Sequence, residues 1–283
     1  MKKPQLILTA AGILLFISLY FWGNTVPPRK KISSEQNLTK EKELDVQDIL
    51  QASKSKLSPA QLSYVNRLEN AVVRGDVKNQ RLKSYEELSV FWKDSVKDSF
   101  LPAAYYMGEA AKLENSEKRL NFAARLFLNN LRDQENPALK SWMARQAKEL
   151  FESAIQLNPQ NDSAKVGLGA TYIFGAPTNN PQEVMRGIQQ ILEVAHRDST
   201  NMYAQFMLGL GGIESGQFDK AIERLSKVVV NQPDNLEAML NLAEAYERKG
   251  DNRNAVKWYN NSKKLVSNQE VIKAIDQRIK LLQ

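Results

Sequence analysis

The residue types that most often carry enzyme chemistry are scarce in this chain of 283 residues. Cysteine is absent from the sequence, which excludes disulfides, thiolate nucleophiles and cysteine-based zinc or iron–sulfur sites. His196 is the only histidine, so the common multi-histidine metal sites are excluded and any histidine triad would depend on that one residue. Because His196 comes near the end of a predicted helix, where positive charge is favourable, we interpret it as a structural or surface residue.

Two groups of glycines look like fragments of nucleotide-binding loops. Gly167 with Gly169, and Gly209 with Gly211 and Gly212, lack the complete G-x-G-x-x-G spacing, and neither group follows a predicted strand. The carboxylates are scattered as they usually are on helix surfaces, and no pair of them stands out as an acid and a base. The sequence therefore predicts no catalytic residue, no metal and no cofactor, and we expect the protein not to be an enzyme.

The charges of the chain favour a solvated surface over a nucleic-acid interface. There are 39 basic and 32 acidic residues, for a net charge of +7, and both signs are interleaved along the helical region. A nucleic-acid-binding protein more often shows a basic stripe with supporting motifs. With 42% hydrophobic and 25% charged residues, the composition is that of a folded domain, and we expect no nucleic-acid partner.

The apolar segment near the N-terminus predicts one membrane-spanning helix. No charge occurs in residues 6–22, which would form about 25 Å of helix, near the lower limit for crossing a bilayer. A cleaved signal peptide and a buried helix are the alternatives, but no small-x-small cleavage site comes after the segment. Basic residues on the two flanks nearly balance, and the short basic start favours export of the chain beyond the segment. We expect an uncleaved anchor at residues 1–22.

The strongest signal is an internal repeat of 34 residues near the C-terminus. When residues 202–235 are aligned with residues 236–269, side chains of similar size recur at matching positions. The matched pairs are Leu208 with Leu242, Gly209 with Ala243, Gly216 with Gly250, Ala221 with Ala255, and Leu225 with Tyr259. The small residues would let paired helices approach closely, the glycine of the third pair suits a turn, and Pro233 would end the second helix.

These motifs resemble the tetratricopeptide repeat family, whose repeats pair a helix carrying Leu-Gly or Leu-Ala with a second helix that ends at a proline. A third copy with Leu168, Gly169 and Tyr172 has six extra residues, placed at 175–180. Weaker copies extend upstream, and one of them joins Met107 and Gly108 to a helix that contains Leu120, Ala124 and Phe127. Residues 138–157 resemble the second helix of a repeat whose first helix the spacing does not identify. The resemblance implies an all-α, helix-turn-helix superhelical solenoid, preceded by one transmembrane helix.

We therefore predict five regions. Residues 1–22 form the anchor, and residues 23–57 form a polar linker that contains a short helix near its end. Degenerate helical repeats occupy residues 58–137, and tetratricopeptide repeats occupy residues 138–268. Residues 269–283 form a capping helix, which a solenoid needs to cover its last repeat.

The resemblance also implies a concave groove, lined by the first helix of each repeat, that holds an extended peptide or a partner helix. The positions carried over are Val166, Ala170, Ile173, Phe206, Leu210, Ile213, Leu240, Glu244 and Glu247. The groove would be mostly apolar with an acidic end, which favours hydrophobic peptide segments; the alternative is that some of these side chains are core. Some members of the family hold the carboxyl terminus of a partner in a clamp of Lys, Asn and Arg side chains. In this sequence, Asn241 is the only residue that matches a clamp position.

These features predict a non-enzymatic, membrane-anchored scaffold or adaptor that binds proteins or peptides in an envelope or secretion-related assembly. The expected location is the bacterial inner membrane, held through residues 6–22, with the C-terminal domain in the periplasm. The alternative is a structural, self-associating membrane-surface protein, whose groove would be filled by another copy in a homo-oligomer. The sequence identifies neither the partner nor the pathway.

Overall fold

The computed structural model describes residues 44–75, 77–96, 99–175 and 180–283, and α-helix is the only regular secondary structure in these residues. The helices of these ranges are α1 (Val46–Lys54), α2 (Pro59–Arg74), α3 (Lys78–Ser95), α4 (Phe100–Glu114), α5 (Glu117–Leu128), α6 (Pro137–Leu157), α7 (Asp162–Gly175), α8 (Pro181–Arg197), α9 (Met202–Glu214), α10 (Phe218–Asn231), α11 (Leu236–Lys249), α12 (Asn252–Lys263) and α13 (Gln269–Leu282). The all-α prediction is confirmed for this part of the chain.

From α3 onward the helices pack as consecutive pairs. The closest neighbours are α3 with α4, α5 with α6, α7 with α8, α9 with α10, and α11 with α12. From α5 onward, each first helix also packs against the second helix of the preceding pair, and the first helices of successive pairs touch one another. This stack of helix pairs is the helix-turn-helix arrangement that the repeats predicted.

Asparagine side chains begin five of the repeat helices. The side-chain oxygen of each accepts a hydrogen bond from the backbone N–H three residues later, and the five are Asn136, Asn161, Asn180, Asn201 and Asn235, which precede α6, α7, α8, α9 and α11. Such caps satisfy a backbone donor that the first turn of a helix leaves without a partner. The helix starts are therefore fixed locally, before packing is considered.

Small residues bring the paired helices together as the repeat spacing predicted. Ala221 and Ala255 are fully buried, and a Cβ atom added at Gly209 would lie only 2.6 Å from Cγ of Leu225. Gly216 and Gly250 occupy the turns between the paired helices, with φ angles of +73° and +88°. Residues with a side chain rarely adopt this left-handed conformation, so the turns depend on glycine.

The pairing of α5 with α6 corrects the sequence interpretation. The prediction placed the helix of Met107 and Gly108, which is α4, in a repeat with α5, but α4 packs most closely against α3. The first helix that the sequence could not identify for α6 is α5. Residues 129–136 connect the two, and this long connection explains why the repeat spacing slips there.

The buried apolar side chains form three clusters in the described residues. The main cluster contains residues from Ile49 to Ala245, and the second contains residues of the four helices α1, α2, α3 and α4. The third contains Ala243, Ala255, Tyr259, Ile275 and Ile279. The predicted short helix near the end of the linker is α1, and its Ile49 and Leu50 are buried in the first two clusters. This helix therefore packs on the folded domain.

The predicted membrane anchor, residues 1–22, and the linker up to residue 43 lie outside the described residues. Among the helices that the structure describes, none combines the length and apolar character needed to cross a bilayer.

Candidate interaction groove

Most of the side chains that the sequence placed in the groove are buried. Six of the nine have less than a tenth of their surface exposed and belong to the main core cluster: Val166, Ala170, Ile173, Phe206, Leu210 and Ile213. The reason is the close approach of α7 and α9, where Cδ1 of Ile173 lies 3.3 Å from a Cβ added at Gly211. The burial supports the alternative that these side chains form core, which the sequence left open.

The remaining three predicted residues lie on α11 in different environments. Leu240 packs against the C-terminal cluster. Glu247 accepts hydrogen bonds from the hydroxyl of Tyr259 at 2.9 Å and from Nε of Arg278 at 2.9 Å, so it joins α11 to α12 and α13. Burial and this carboxylate raise the pKa of Tyr259. Of the nine, only Glu244 takes part in the polar network around Arg132.

Arg132 forms a polar network that connects three parts of the helix stack. It lies between α5 and α6, and it donates from Nε to Glu214 (2.9 Å), from Nη1 to Oδ1 of Asn241 (2.5 Å) and from Nη2 to Glu244 (2.8 Å). Burial alone lowers the pKa of Arg132, but Glu244 and then Glu214 outweigh it and raise the pKa. Glu214 ends α9, two helix pairs onward from α5 and α6, and the other two acceptors lie on α11, three pairs onward. Arg132 therefore connects its own pair to two later pairs of the stack.

A second group of polar side chains lies beside this network. The guanidinium carbon of Arg125, at the end of α5, is 4.9 Å from the ring centroid of Tyr203 on α9. The hydroxyl of Tyr203 is buried and has no hydrogen-bond partner among the described residues. Glu237, on the first turn of α11, has its pKa raised by burial, although Arg132 and Arg125 oppose that change.

We call the surface formed by Arg125, Arg132, Tyr203, Glu237 and Glu244 the inner face, since these contacts place parts of α5, α9 and α11 on one side of the stack. The inner face is polar and aromatic, whereas the sequence predicted a mostly apolar groove. Asn241, the one match to a carboxylate clamp, already accepts from Arg132 and donates to the backbone oxygen of Glu237 at 2.8 Å.

Sequence reasoning missed four of the five residues of the inner face. Arg132 lies in the connection where the repeat spacing slips, which is the one signal that pointed to it. Arg125, Tyr203 and Glu237 have no distinguishing spacing. Within the described ranges, no group of three or more His, Cys, Asp or Glu side chains is arranged to hold a metal ion.

Solved structures similar to this chain include MamA proteins and YrrB. One is a MamA protein with 21% identity and a TM-score of 0.39, covering 64% of this chain and 89% of that one. Another is MamA 41-end from Desulfovibrio magneticus RS-1, with 20% identity, coverage of 74% and 96%, and a TM-score of 0.40. A third is YrrB, described as a TPR protein with an unusual peptide-binding site, with 13% identity, coverage of 74% and 97%, and a TM-score of 0.40.

A comparison with curated proteins finds no match. The family described as tetratricopeptide repeat matches residues 206–269, which extend from α9 to the first residue of α13. These are the two helix pairs in which the sequence showed its 34-residue period. The family match therefore supports the tetratricopeptide resemblance for residues 206–269 of this chain.

Proposed function

We propose that this protein is a non-enzymatic scaffold that binds a partner protein across the inner face. The observation that carries the proposal is the exposed Arg125, whose guanidinium lies over the ring of Tyr203, together with the buried Tyr203 hydroxyl, which has no partner among the described residues. Both groups are hydrogen-bond donors, and a peptide backbone supplies carbonyl acceptors at regular intervals. A partner that lays an extended segment along α5, α9 and α11 would supply an acceptor to Arg125 directly, and to the Tyr203 hydroxyl once that side chain turns outward.

The polar lining changes the kind of segment that we expect. An apolar groove would take hydrophobic peptides, but the apolar candidates of α7 and α9 are buried in the core. The inner face combines an aromatic ring, two arginines and two glutamates, so a polar segment with charges of both signs fits it better. Electrostatic pairing of this kind selects partners more than it adds affinity.

Residues 6–22 support the further proposal that the scaffold is tethered to a membrane. Their length and lack of charge are those of a single span, and the basic start favours export of the domain. A single-pass protein of a bacterial inner membrane, with its domain in the periplasm and a role in an envelope or secretion-related assembly, agrees with these features. Protease added to intact spheroplasts should digest the domain if it is periplasmic and spare it if it is cytoplasmic.

The test of the scaffold proposal is affinity capture of the full-length protein, cross-linked in its native membrane. We would compare the wild type with Arg125→Glu, which reverses the charge on the inner face at an exposed residue. Arg253→Glu is the matched control, because Arg253 is an exposed arginine on α12, a second helix of its pair. Phe206 and Leu210, which the sequence placed in the groove, are unsuitable for this test because they are buried, and a charge at either would disrupt the core.

We expect the wild type and Arg253→Glu to capture the same partner and Arg125→Glu to lose it, with helix content equal in all three proteins. A partner retained by Arg125→Glu would overturn binding on the inner face. If all three proteins recover only copies of this chain, the structural, self-associating alternative is favoured.

A further inference from the structure

A cleft of about 590 Å³ lies among α6, α7 and α8, and it shares no residue with the inner face. Its polar lining includes Lys165 and Tyr172 of α7 and Arg186 of α8. Two carboxylates, Glu152 and Glu193, also line it. Nothing in the scaffold proposal uses this cleft.

Tyr172 is the unusual residue of the cleft. The side chain is only 5% exposed, and its buried hydroxyl has no hydrogen-bond partner in the part of the chain that the structure describes. Two cations lie over its ring, with Cζ of Arg186 4.7 Å from the ring centroid and Nζ of Lys148 5.4 Å from it. Burial of a hydroxyl without a partner is costly, so an acceptor that reaches this group would be favoured.

A close approach of two helices produces this arrangement. A Cβ atom added at Gly187 would lie 2.9 Å from Cβ of Tyr172 and would collide with the carbonyl oxygen of Gly169. Glycine therefore lets α8 lie against α7, and the preceding residue, Arg186, is placed over the tyrosine ring. The same contact fixes the distance between the cation and the hydroxyl-bearing side chain.

The cations around Tyr172 outnumber the acceptors that could neutralise them. Among the described residues, no carboxylate lies within 4.0 Å of the charged groups of Lys165 or Arg186. The nearest carboxylate of Lys148 is Glu152, at 4.0 Å. Arg197 at the edge of the cleft is already paired with Asp162. The other lining carboxylate, Glu193, forms no ion pair within the described ranges. The three cations Lys148, Lys165 and Arg186 therefore outnumber the two carboxylates Glu152 and Glu193.

We propose that this cleft binds a small oxyanion of the phosphate class. A phosphate group offers several acceptor oxygens and matches the planar donor fork of an arginine. Arg186 would turn from the ring to the anion, Lys165, which also lines the cleft, would add a second positive charge, and the Tyr172 hydroxyl would donate to the same group. The phosphate can be free or part of a lipid headgroup, since both present the same oxygens.

The experiment is a calorimetric titration of the full-length protein with inorganic phosphate, with sodium chloride adjusted to hold the ionic strength constant. The variants are Arg186→Gln and Tyr172→Phe, and Arg253→Gln is the control at an exposed arginine elsewhere. We expect saturable binding by the wild type and the control, about tenfold weaker binding by Arg186→Gln, and weakening of several fold by Tyr172→Phe. Absence of saturable binding, or equal affinities of Arg186→Gln and the control, would overturn the proposal.

Thermal unfolding gives a readout that does not depend on the titration. Without phosphate, Tyr172→Phe should unfold at the same temperature as the wild type or higher, because it removes an unsatisfied buried hydroxyl. With phosphate, its melting temperature should rise less than that of the wild type. A lower melting temperature of Tyr172→Phe without phosphate would show that the hydroxyl has a structural partner, which contradicts the proposal.

A second titration, with glycerophosphoglycerol as a soluble phosphodiester headgroup, separates the two sources of the anion. Tighter Arg186-dependent binding of inorganic phosphate than of the diester assigns the cleft to free phosphate. The reverse order assigns it to a headgroup, and failure of both ligands overturns the site. Neither result bears on the capture experiment with Arg125→Glu, so the two proposals fail separately.

Discussion

Replacing Arg132 by alanine tests whether the polar network of the inner face holds the helix stack together. The substitution removes three hydrogen bonds, to Glu214, Asn241 and Glu244, while leaving the helices themselves intact. Arg132 lies outside the helices, between α5 and α6, so no helix propensity is changed. The whole effect should come from the loss of contacts to α9 and α11.

The size of the effect depends on the exposure of the partners. The side chains of Arg132 and Glu244 are 24% and 25% exposed, whereas Glu214 is 40% exposed. Hydrogen bonds to charged groups contribute about 1.5–3 kcal/mol when buried, but partly exposed ion pairs contribute about 1 kcal/mol or less. Asn241, only 7% exposed, would lose a donor to its side-chain oxygen. We expect Arg132→Ala to lower the free energy of unfolding by about 2–3 kcal/mol.

Arg248→Ala is the matched control, because Nε of Arg248 also contacts Glu244, at 3.0 Å, but from the same helix. Pairs four residues apart on an exposed helix surface contribute only about 0.3–0.5 kcal/mol. The assay is urea unfolding of the full-length proteins, followed by circular dichroism at 222 nm. If Arg132→Ala lowers the free energy of unfolding no more than Arg248→Ala does, Arg132 does not hold the helix stack together. A double-mutant cycle between Arg132 and Glu244 should also give a coupling energy of about 1 kcal/mol.

Four other perturbations have expected outcomes. Burial raises the pKa of Glu237 in the folded protein. The protonated carboxyl therefore stabilises the fold below the pKa that Glu237 has in the unfolded chain, and this stability is lost as pH rises through the pKa of the folded protein. Glu237→Gln should unfold at a higher urea concentration than the wild type at neutral pH and at the same concentration below about pH 3.5. Gly187→Ala places a methyl group against a carbonyl oxygen of α7 and should cost about 1–3 kcal/mol in thermal unfolding. By contrast, Gly211→Ala, whose nearest neighbour is 3.3 Å away, should be neutral or stabilising in the same measurement. Hydrogen bonds from Asn254 lower the pKa of Asp251, so its stabilising contribution is lost as pH falls through the folded pKa, and Asp251→Asn should flatten that part of a plot of stability against pH.

The helix pairs of residues 202–269 could be predicted because their constraints are local. Leu208 and Leu242 recur at the repeat period. Gly216 and Gly250 lie in turns with positive φ angles, and glycine is the residue type that indicates such a turn in a sequence. The pair α5 and α6 could not be predicted in the same way. Its long connection removes the fixed spacing, and only packing against the neighbouring pairs identifies the two helices as partners.

The inner face was harder to predict than the fold. Position-by-position transfer selects residues on the correct helices, but Phe206 and Leu210 become core because α7 and α9 approach closely. Arg132 contacts residues up to 112 positions away, and no local pattern in a single sequence encodes such a pairing. The unsatisfied hydroxyls of Tyr172 and Tyr203 are likewise properties of three-dimensional neighbours and not of sequence spacing.

The third apolar cluster has a consequence for how the protein opens. It contains few side chains and joins α13 to α11 and α12 separately from the main cluster. The free energy needed to detach α13 is therefore smaller than the free energy of global unfolding, because the main cluster stays buried when α13 leaves. Amide hydrogens of α13 should exchange with solvent through this partial opening, whereas those of α7 and α9 should exchange only when the whole stack unfolds. The C-terminal end is thus an end at which the stack can lose a helix while the remaining pairs keep their structure.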